Sequence, residues 1–393
     1  MKSARALPLI LIALLVMPAF ADDADDPEKL ELARQEAFRS GFATIVESLN
    51  FGTFDLLVSS INREEFVDRI LGLRLVAQKV QRDFREDMEM QFGSLIKGGF
   101  EVTEDGVKAT LLGIDSRGNR GRAVVRFDLP ELQFGYHEYE LMLDRKNQVV
   151  VVDWVDYLHG EQFTSGVGES LVMALPSKQA VRKLIDYKNI KDSDLFQFTE
   201  LLKAARDRQA DRYVDIINKL NPELQRQRIV VLTTVHLTKS IKNRRMMRMA
   251  LMQMANHFPE EPLYSLMLLD YYVPSKMYEE AIMALQRTYD ELGFDDAAME
   301  ARLSAIALVM GDSTEANVYA DRAIELEPGL ELGWWSALRA RVALSNFAGA
   351  AEALQQLESQ YGHSLGPEAL QRDKSFAALL ASDEYKTWVA SRQ

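Results

Sequence analysis

The sequence predicts an α+β N-terminal domain, helices plus a curved antiparallel sheet, followed by an all-α helical-repeat solenoid. Three observations predict it. Apolar residues recur at helical spacing over 28–50 and 64–92, the period switches to two between residues 107 and 157, and from Pro176 to Gln393 only helical patterns follow, broken at short intervals. Helices followed by locally paired strands form an α+β plan, and a long helical stretch with a fixed period is the mark of stacked repeats.

The first residues concern compartment. Lys2 and Arg5 are followed by an apolar run over 7–16, by Ala19-Phe20-Ala21, and by Asp22, Asp23, Asp25 and Asp26. A positive start, an apolar core and an A-x-A site in that order describe a secretory signal peptide over 1–21, removed on export. The apolar run is shorter than the ~18–20 residues a spanning helix needs. The expected location is therefore periplasmic or secreted, with no membrane anchor after cleavage. The chain beyond Ala21 is long enough for two or three domains. The absence of cysteine excludes disulfides, thiolate metal sites and a cysteine nucleophile. A formal charge of −13, or −15 without Lys2 and Arg5, repels phosphate backbones, so nucleic acid is not an expected partner.

In the first helical stretch Leu30, Ala33, Ala37, Phe38, Ile45 and Leu49 share a side. In the second, Phe66, Ile70, Leu73, Val76, Val80 and Phe84 do, and Gly93, Gly98 and Gly99 are read as ending it. Strands are expected over 107–114, 122–129, 136–143 and 148–157, with turns at 115–119 and 144–147. In the third, His137, Tyr139, Leu141 and Leu143 alternate with Glu138, Glu140 and Met142. This N-terminal unit, 28–165, resembles the cystatin-like cone fold shared with nuclear transport factor 2 relatives. The resemblance implies a possible pocket between helix and sheet and no particular chemistry, because that fold hosts both enzymes and binding modules.

Farther on, Tyr278-Glu279-Glu280-Ala281, Ser313-Thr314-Glu315-Ala316 and Phe347-Ala348-Gly349-Ala350 are similar phrases at a near-constant spacing. The stretch 262–362 resembles tetratricopeptide repeats, whose period is ~34 residues. In that register Ala281, Ala316 and Ala350 are the small residues where two helices meet, and Trp334 holds an aromatic core position. The resemblance implies that Asp270, Ala301, Ala305, Trp335 and Arg339 face inward, with Asp270, Trp335 and Arg339 as partner-binding positions. The stretch 177–260 reads as divergent helical hairpins and 363–393 as a C-terminal cap.

Several groups could carry chemistry. Met246, Met247, Met249, Met252 and Met254 before His257 have the soft-donor spacing of a Cu(I) site. Interleaved Arg244, Arg245 and Arg248 oppose a cation, and the stretch reads instead as a methionine-filled helix face. The five histidines, His137, His159, His236, His257 and His363, show no zinc spacing. Glu138 and Glu140 form a pair of the kind the outer face of a sheet carries. Gly166-Val167-Gly168 reads as a loop into a helix capped by Ser165, and Asp153, Trp154, Asp156 and Tyr157 as a strand end at the mouth of the cone. No nucleophile elbow, phosphate loop or dinucleotide fingerprint occurs. No metal, cofactor or catalytic residue is expected. The functional expectation is an exported scaffold, not an enzyme, that binds a protein through its solenoid; the alternative is a small-ligand receptor or enzyme using the cone pocket.

Overall fold

The computed structural model describes residues 27–72, 77–100, 108–174, 182, 185 and 190–392. The predicted leader at 1–21 lies outside them, as do Leu73 and Val76 of the second helical stretch. Among the described residues four helices come first: α1 (Pro27–Asn50), α2 (Asp55–Ser60), α3 (Arg63–Gly72) and α4 (Gln78–Lys97). The sheet follows: β1 (Lys108–Arg117), β2 (Arg120–Leu129), β3 (Gln133–Leu143), β4 (Val149–Asp156) and the short β5 (Glu161–Gln162). Its spatial order is β1-β2-β3-β4-β5, and every neighbouring pair is antiparallel. Register shifts at Leu111/Gly113 and Glu140/Leu141 put an extra residue on one strand, which bends and twists a sheet.

Helix α1 buries Phe38, Ile45 and Leu49 of the predicted stripe, together with Phe42 and Val46, whereas Leu30 and Ala33 at its start are exposed because no other element covers that side of the turn among the described residues. The second helical stretch differs from expectation. It is two helices, α3 and α4, and α4 continues through Gly93 to Lys97. Nothing approaches the open side of Gly93, so the helix bears only the ~1 kcal/mol propensity cost of a glycine there. The first hairpin is also tighter than expected: Arg117 pairs with Arg120, and Gly118 takes a φ of 64° that fits a two-residue turn.

The sheet is a middle layer. On one face His137, Tyr139, Leu141, Leu143 and Trp154 are buried against α1, α3, α4 and α5 (Phe163–Ala174). On the other face Val124, Phe134, Tyr136 and Tyr157 join a core built by helices of the C-terminal half. The expectation that Glu138 and Glu140 lie on an open outer face is corrected accordingly. Glu138 accepts bonds from Arg122 (3.0 Å) and Tyr157 (3.1 Å), and Glu140 is held by Arg69 at 2.6 Å.

Helix α5 corrects a second expectation. Gly166 to Gly168 lie inside it, and Ser165 is not its cap. Asp153 organises its start instead, accepting from Thr164 Oγ1 at 2.5 Å and Gln162 Nε2 at 2.7 Å. The Glu161 carboxylate occupies the space beside Gly166, so a Cβ there would make that side chain move.

The C-terminal half is a run of helix pairs. They are α6/α7 (Asp192–Arg206, Ala210–Ile217), α9/α10 (Arg228–Ser240, Arg244–His257), α11/α12 (Ser265–Tyr272, Tyr278–Leu292), α13/α14 (Ala297–Met310, Ser313–Leu326) and α15/α16 (Glu331–Ala343, Phe347–Tyr361). The short α8 (Pro222–Gln225) lies between the first two pairs. After the last come α17 (Pro367–Leu370), α18 (Ala377–Ala381) and α19 (Asp383–Ala390).

One backbone device recurs in all five pairs. Arg208, Lys242, Lys276, Gly311 and Ser345 have positive φ, and they follow one another at intervals of about 34 residues, the tetratricopeptide period. The next residue in each case donates its N–H to the carbonyl five positions back, from Gln209 to Ala204, Asn243 to Thr238, Met277 to Tyr272, Asp312 to Ala307 and Asn346 to Arg341, at 2.8–3.0 Å. That bond closes a helix of the Schellman kind. In three of them the same residue then caps the second helix with its side chain: Asn243 accepts from Met246 N, Asp312 from Glu315 N and Asn346 from Gly349 N. The period therefore reaches back to α6, before the stretch whose sequence displays it. No helix among the described residues is long and apolar enough to cross a membrane.

Candidate functional site

The region where the sheet meets the helix pairs holds a buried cluster of charges. Arg126, on β2, is fully buried; its guanidinium bonds Asp128 (2.8 Å), Asp296 (2.5 Å) and Glu327 (2.8 Å). Burial alone would lower its pKa, but the three carboxylates raise it well above the ordinary value, so it stays charged. Asp296 also accepts from the Tyr136 phenol (2.5 Å) and from Met299 N, capping α13. Burial and the adjoining Asp296 push the phenol pKa well up. Gly113 lets the Phe294 ring lie against β1, where any Cβ would collide with it.

A second group forms at the end of β4. Asp156 is 2.6 Å from His159 Nδ1 and 3.5 Å from His137 Nε2. His236, on α9, donates Nε2–H to the His159 carbonyl at 3.0 Å. Burial raises the Asp156 pKa, but His137 and His159 outweigh it and hold the carboxyl far below the usual range. Burial, reinforced by His159, pushes His236 down to about 4. The fold thus collects three histidines from β3, the end of β4 and α9, a grouping that sequence spacing had no means to reveal. No set of His, Asp and Glu among the described residues has the geometry to hold a metal ion.

The pocket expected between helices and sheet is filled. Trp154 stacks on Phe163 at 4.1 Å, and His137 packs against Phe127 at 4.6 Å and Phe100 at 5.2 Å. The space left is about 20 Å³, room for a single water. Asp153, Trp154 and Asp156, read from sequence as a cone mouth, are buried: Asp153 serves α5, Trp154 the core and Asp156 the histidines.

A larger cleft of about 260 Å³ lies between the sheet end, at Phe134, Leu158 and His159, and the first helices α9, α11 and α13. Asp270 stands in it with Lys239 and Arg302. Its carboxyl keeps solvent contact, while the surrounding walls raise its pKa.

The remaining sequence positions fall as follows. Ala281, Ala316 and Ala350 are fully buried, and Trp334 is buried with Nε1 donating to the Pro328 carbonyl at 2.9 Å. Trp335 is half-buried, its Nε1 on Glu331 (3.0 Å) and its ring edge-on to His363. Arg339 is exposed. Ala301, expected to face inward, is buried because α15 passes over it and Ser336 donates to its carbonyl. The methionine-filled face is also corrected in part. Met254 is buried, but Met249 and Met252 are exposed beside Arg244, Arg245 and Arg248. They lie on the side of α10 turned away from Leu251 and Met254, beside Tyr271 of α11.

No family model matches the chain, and no curated protein matches it. One solved structure similar to it is the crystal structure of PilW, a widely conserved type IV pilus biogenesis factor, at a TM-score of 0.35 and 10% identity over 52% of this chain and 94% of that one. A likeness at that level assigns no role.

Proposed function

We propose that the chain is an exported scaffold without catalytic activity, whose helix pairs are of the tetratricopeptide kind and bind a protein partner. One observation carries the reading. Asp270, Ala305 and Arg339 occupy equivalent places in α11, α13 and α15, one repeat apart, and all three are exposed. The first helices thus share one solvent-facing strip across successive repeats, the surface on which such arrays hold extended segments. The charged groups best placed for acid–base work are engaged in structure: Asp153 starts α5, Glu138 and Glu140 hold arginines, and Asp156 ties β4 to α9 through His159.

The test is cross-linking and mass spectrometry of the tagged full-length protein from its native cell envelope, with Arg339→Glu alongside. Proteins retained by the wild type and lost by the variant identify partners of the strip. An unchanged set removes the strip from the reading. N-terminal sequencing of the purified protein should begin at Asp22, and a chain still starting at Met1 removes export.

A further inference from the structure

The cleft between the sheet and helices α9, α11 and α13 holds two cations, Lys239 and Arg302, that the scaffold reading does not use. Its walls are apolar, with Phe134, Leu158, Val235, Leu251 and Met267 among them. Into it project Lys239, Arg302 and Asp270. Among the described residues none of these three side chains makes a hydrogen bond or an ion pair within 4.0 Å; Arg302 lies over the Phe134 ring, 5.4 Å from its centroid.

A guanidinium against an aromatic wall has lost part of its hydration without gaining a carboxylate, a state that costs free energy until an anion arrives. Burial lowers the Arg302 pKa for the same reason, with Asp270 opposing it. Lys239 and Arg302 against Asp270 leave one positive charge; His159, which also lines the cleft, is bonded to the Asp156 carboxylate, and His236, at about 4, adds none at neutral pH. A single carboxylate neutralises the cleft, whereas a zwitterion would leave the excess in place. The volume of about 260 Å³ lies just below the ~300–1,000 Å³ of drug-sized pockets, so the apolar body is small.

We propose that this cleft is a binding site for a small amphiphile with an apolar tail and one carboxylate. The carboxylate pairs with the Arg302 fork, Lys239 stands beside it, and the tail lies along Met267 and Leu251. The site shares Asp270 with the strip but binds through Lys239 and Arg302, so it does not depend on the scaffold reading.

Isothermal titration of the full chain with decanoate, below its micelle threshold, tests it, with decanol as the uncharged match. Decanoate should bind at a single site, and decanol roughly tenfold to a hundredfold more weakly, the worth of a charge-assisted hydrogen bond. Arg302→Gln should bring decanoate to the level of decanol and leave decanol unchanged. Lys239→Gln, at an exposed position that does not endanger folding, should weaken decanoate severalfold. Asp270→Asn should strengthen it by removing the like charge. Arg339→Glu should change nothing in this titration, whatever it does to protein capture. Equal affinity for decanoate and decanol, or no binding of decanoate, overturns the proposal. A leucine-rich peptide with a free C-terminus that binds where decanoate fails also overturns it and gives the cleft to a protein segment.

Discussion

Arg126 and Asp296 come from β2 and the start of α13 and meet as a buried ion pair at 2.5 Å, with the Tyr136 phenol on the second carboxylate oxygen. Arg126 is shared with Asp128 and Glu327, but among the described residues it is the one cation paired with Asp296, so its removal leaves that buried carboxylate without a counter-charge. Arg126→Ala should lower unfolding free energy by about 3–5 kcal/mol. Chemical denaturation checks it, and a loss under about 1 kcal/mol would mean that the carboxylates are well hydrated there.

Ala316 is fully buried, and its carbonyl receives the Ser304 hydroxyl at 2.7 Å across the α13/α14 contact. No room exists for a longer side chain. Ala316→Leu should overpack the pair and cost about 1–3 kcal/mol. Thermal melts of the two proteins decide it, and equal melting temperatures would contradict close approach at that point.

The adjacent tryptophans make a paired test. Trp334 is buried with a bonded indole, so Trp334→Ala should cost about 3–5 kcal/mol. Trp335 is half-buried against Glu331 and His363, and its loss should cost about 1–2 kcal/mol. Denaturant midpoints rank the two, and a larger loss at Trp335 would reverse the roles of these neighbours.

Glu161 sets a dependence on pH. Burial, with Glu169 as the next cause, raises its carboxyl to about 7 from 4.5. The folded state therefore holds a proton that the unfolded chain has released between those values, and this group's contribution to stability falls as pH rises through that window. Glu161→Gln should be more stable than the wild type above pH ~7, by roughly 3 kcal/mol at most, and the gap should close toward pH ~4.5. The comparison between the two proteins isolates Glu161 from His236, whose depressed pKa works with the opposite sign over 4–6.5. A gap that widened with acid would refute the assignment.

Local patterns were legible in the sequence. Phe38, Ile45 and Leu49 mark a helix face, the alternation from His137 to Leu143 marks a strand, and the three alanines mark a repeat. The period in the earlier pairs was hidden because Met247 and Tyr213 stand where the alanines would be, while the turns at Arg208 and Lys242 keep the backbone geometry without glycine. Helix α5 was misread since two glycines usually signal a loop, and here one of them yields room to Glu161. The candidate sites were less legible. Asp270 was named from its repeat position, but Lys239, Arg302, Phe134 and Leu158 reach the same cleft from elements far apart in sequence, and no periodicity encodes that meeting.

The doubly covered sheet has a practical consequence for anyone dividing the protein. A fragment ending near residue 165 would turn Val124, Phe134, Tyr136 and Tyr157 toward water and leave the Arg126 guanidinium facing vacated carboxylate positions. Such a piece should self-associate through that uncovered face. The complementary fragment would bare Phe294, which lies against Gly113 of β1, and leave Asp296 without Arg126. The two halves are sequential in the gene but interdependent for solubility, so ligand and partner measurements belong on the intact chain.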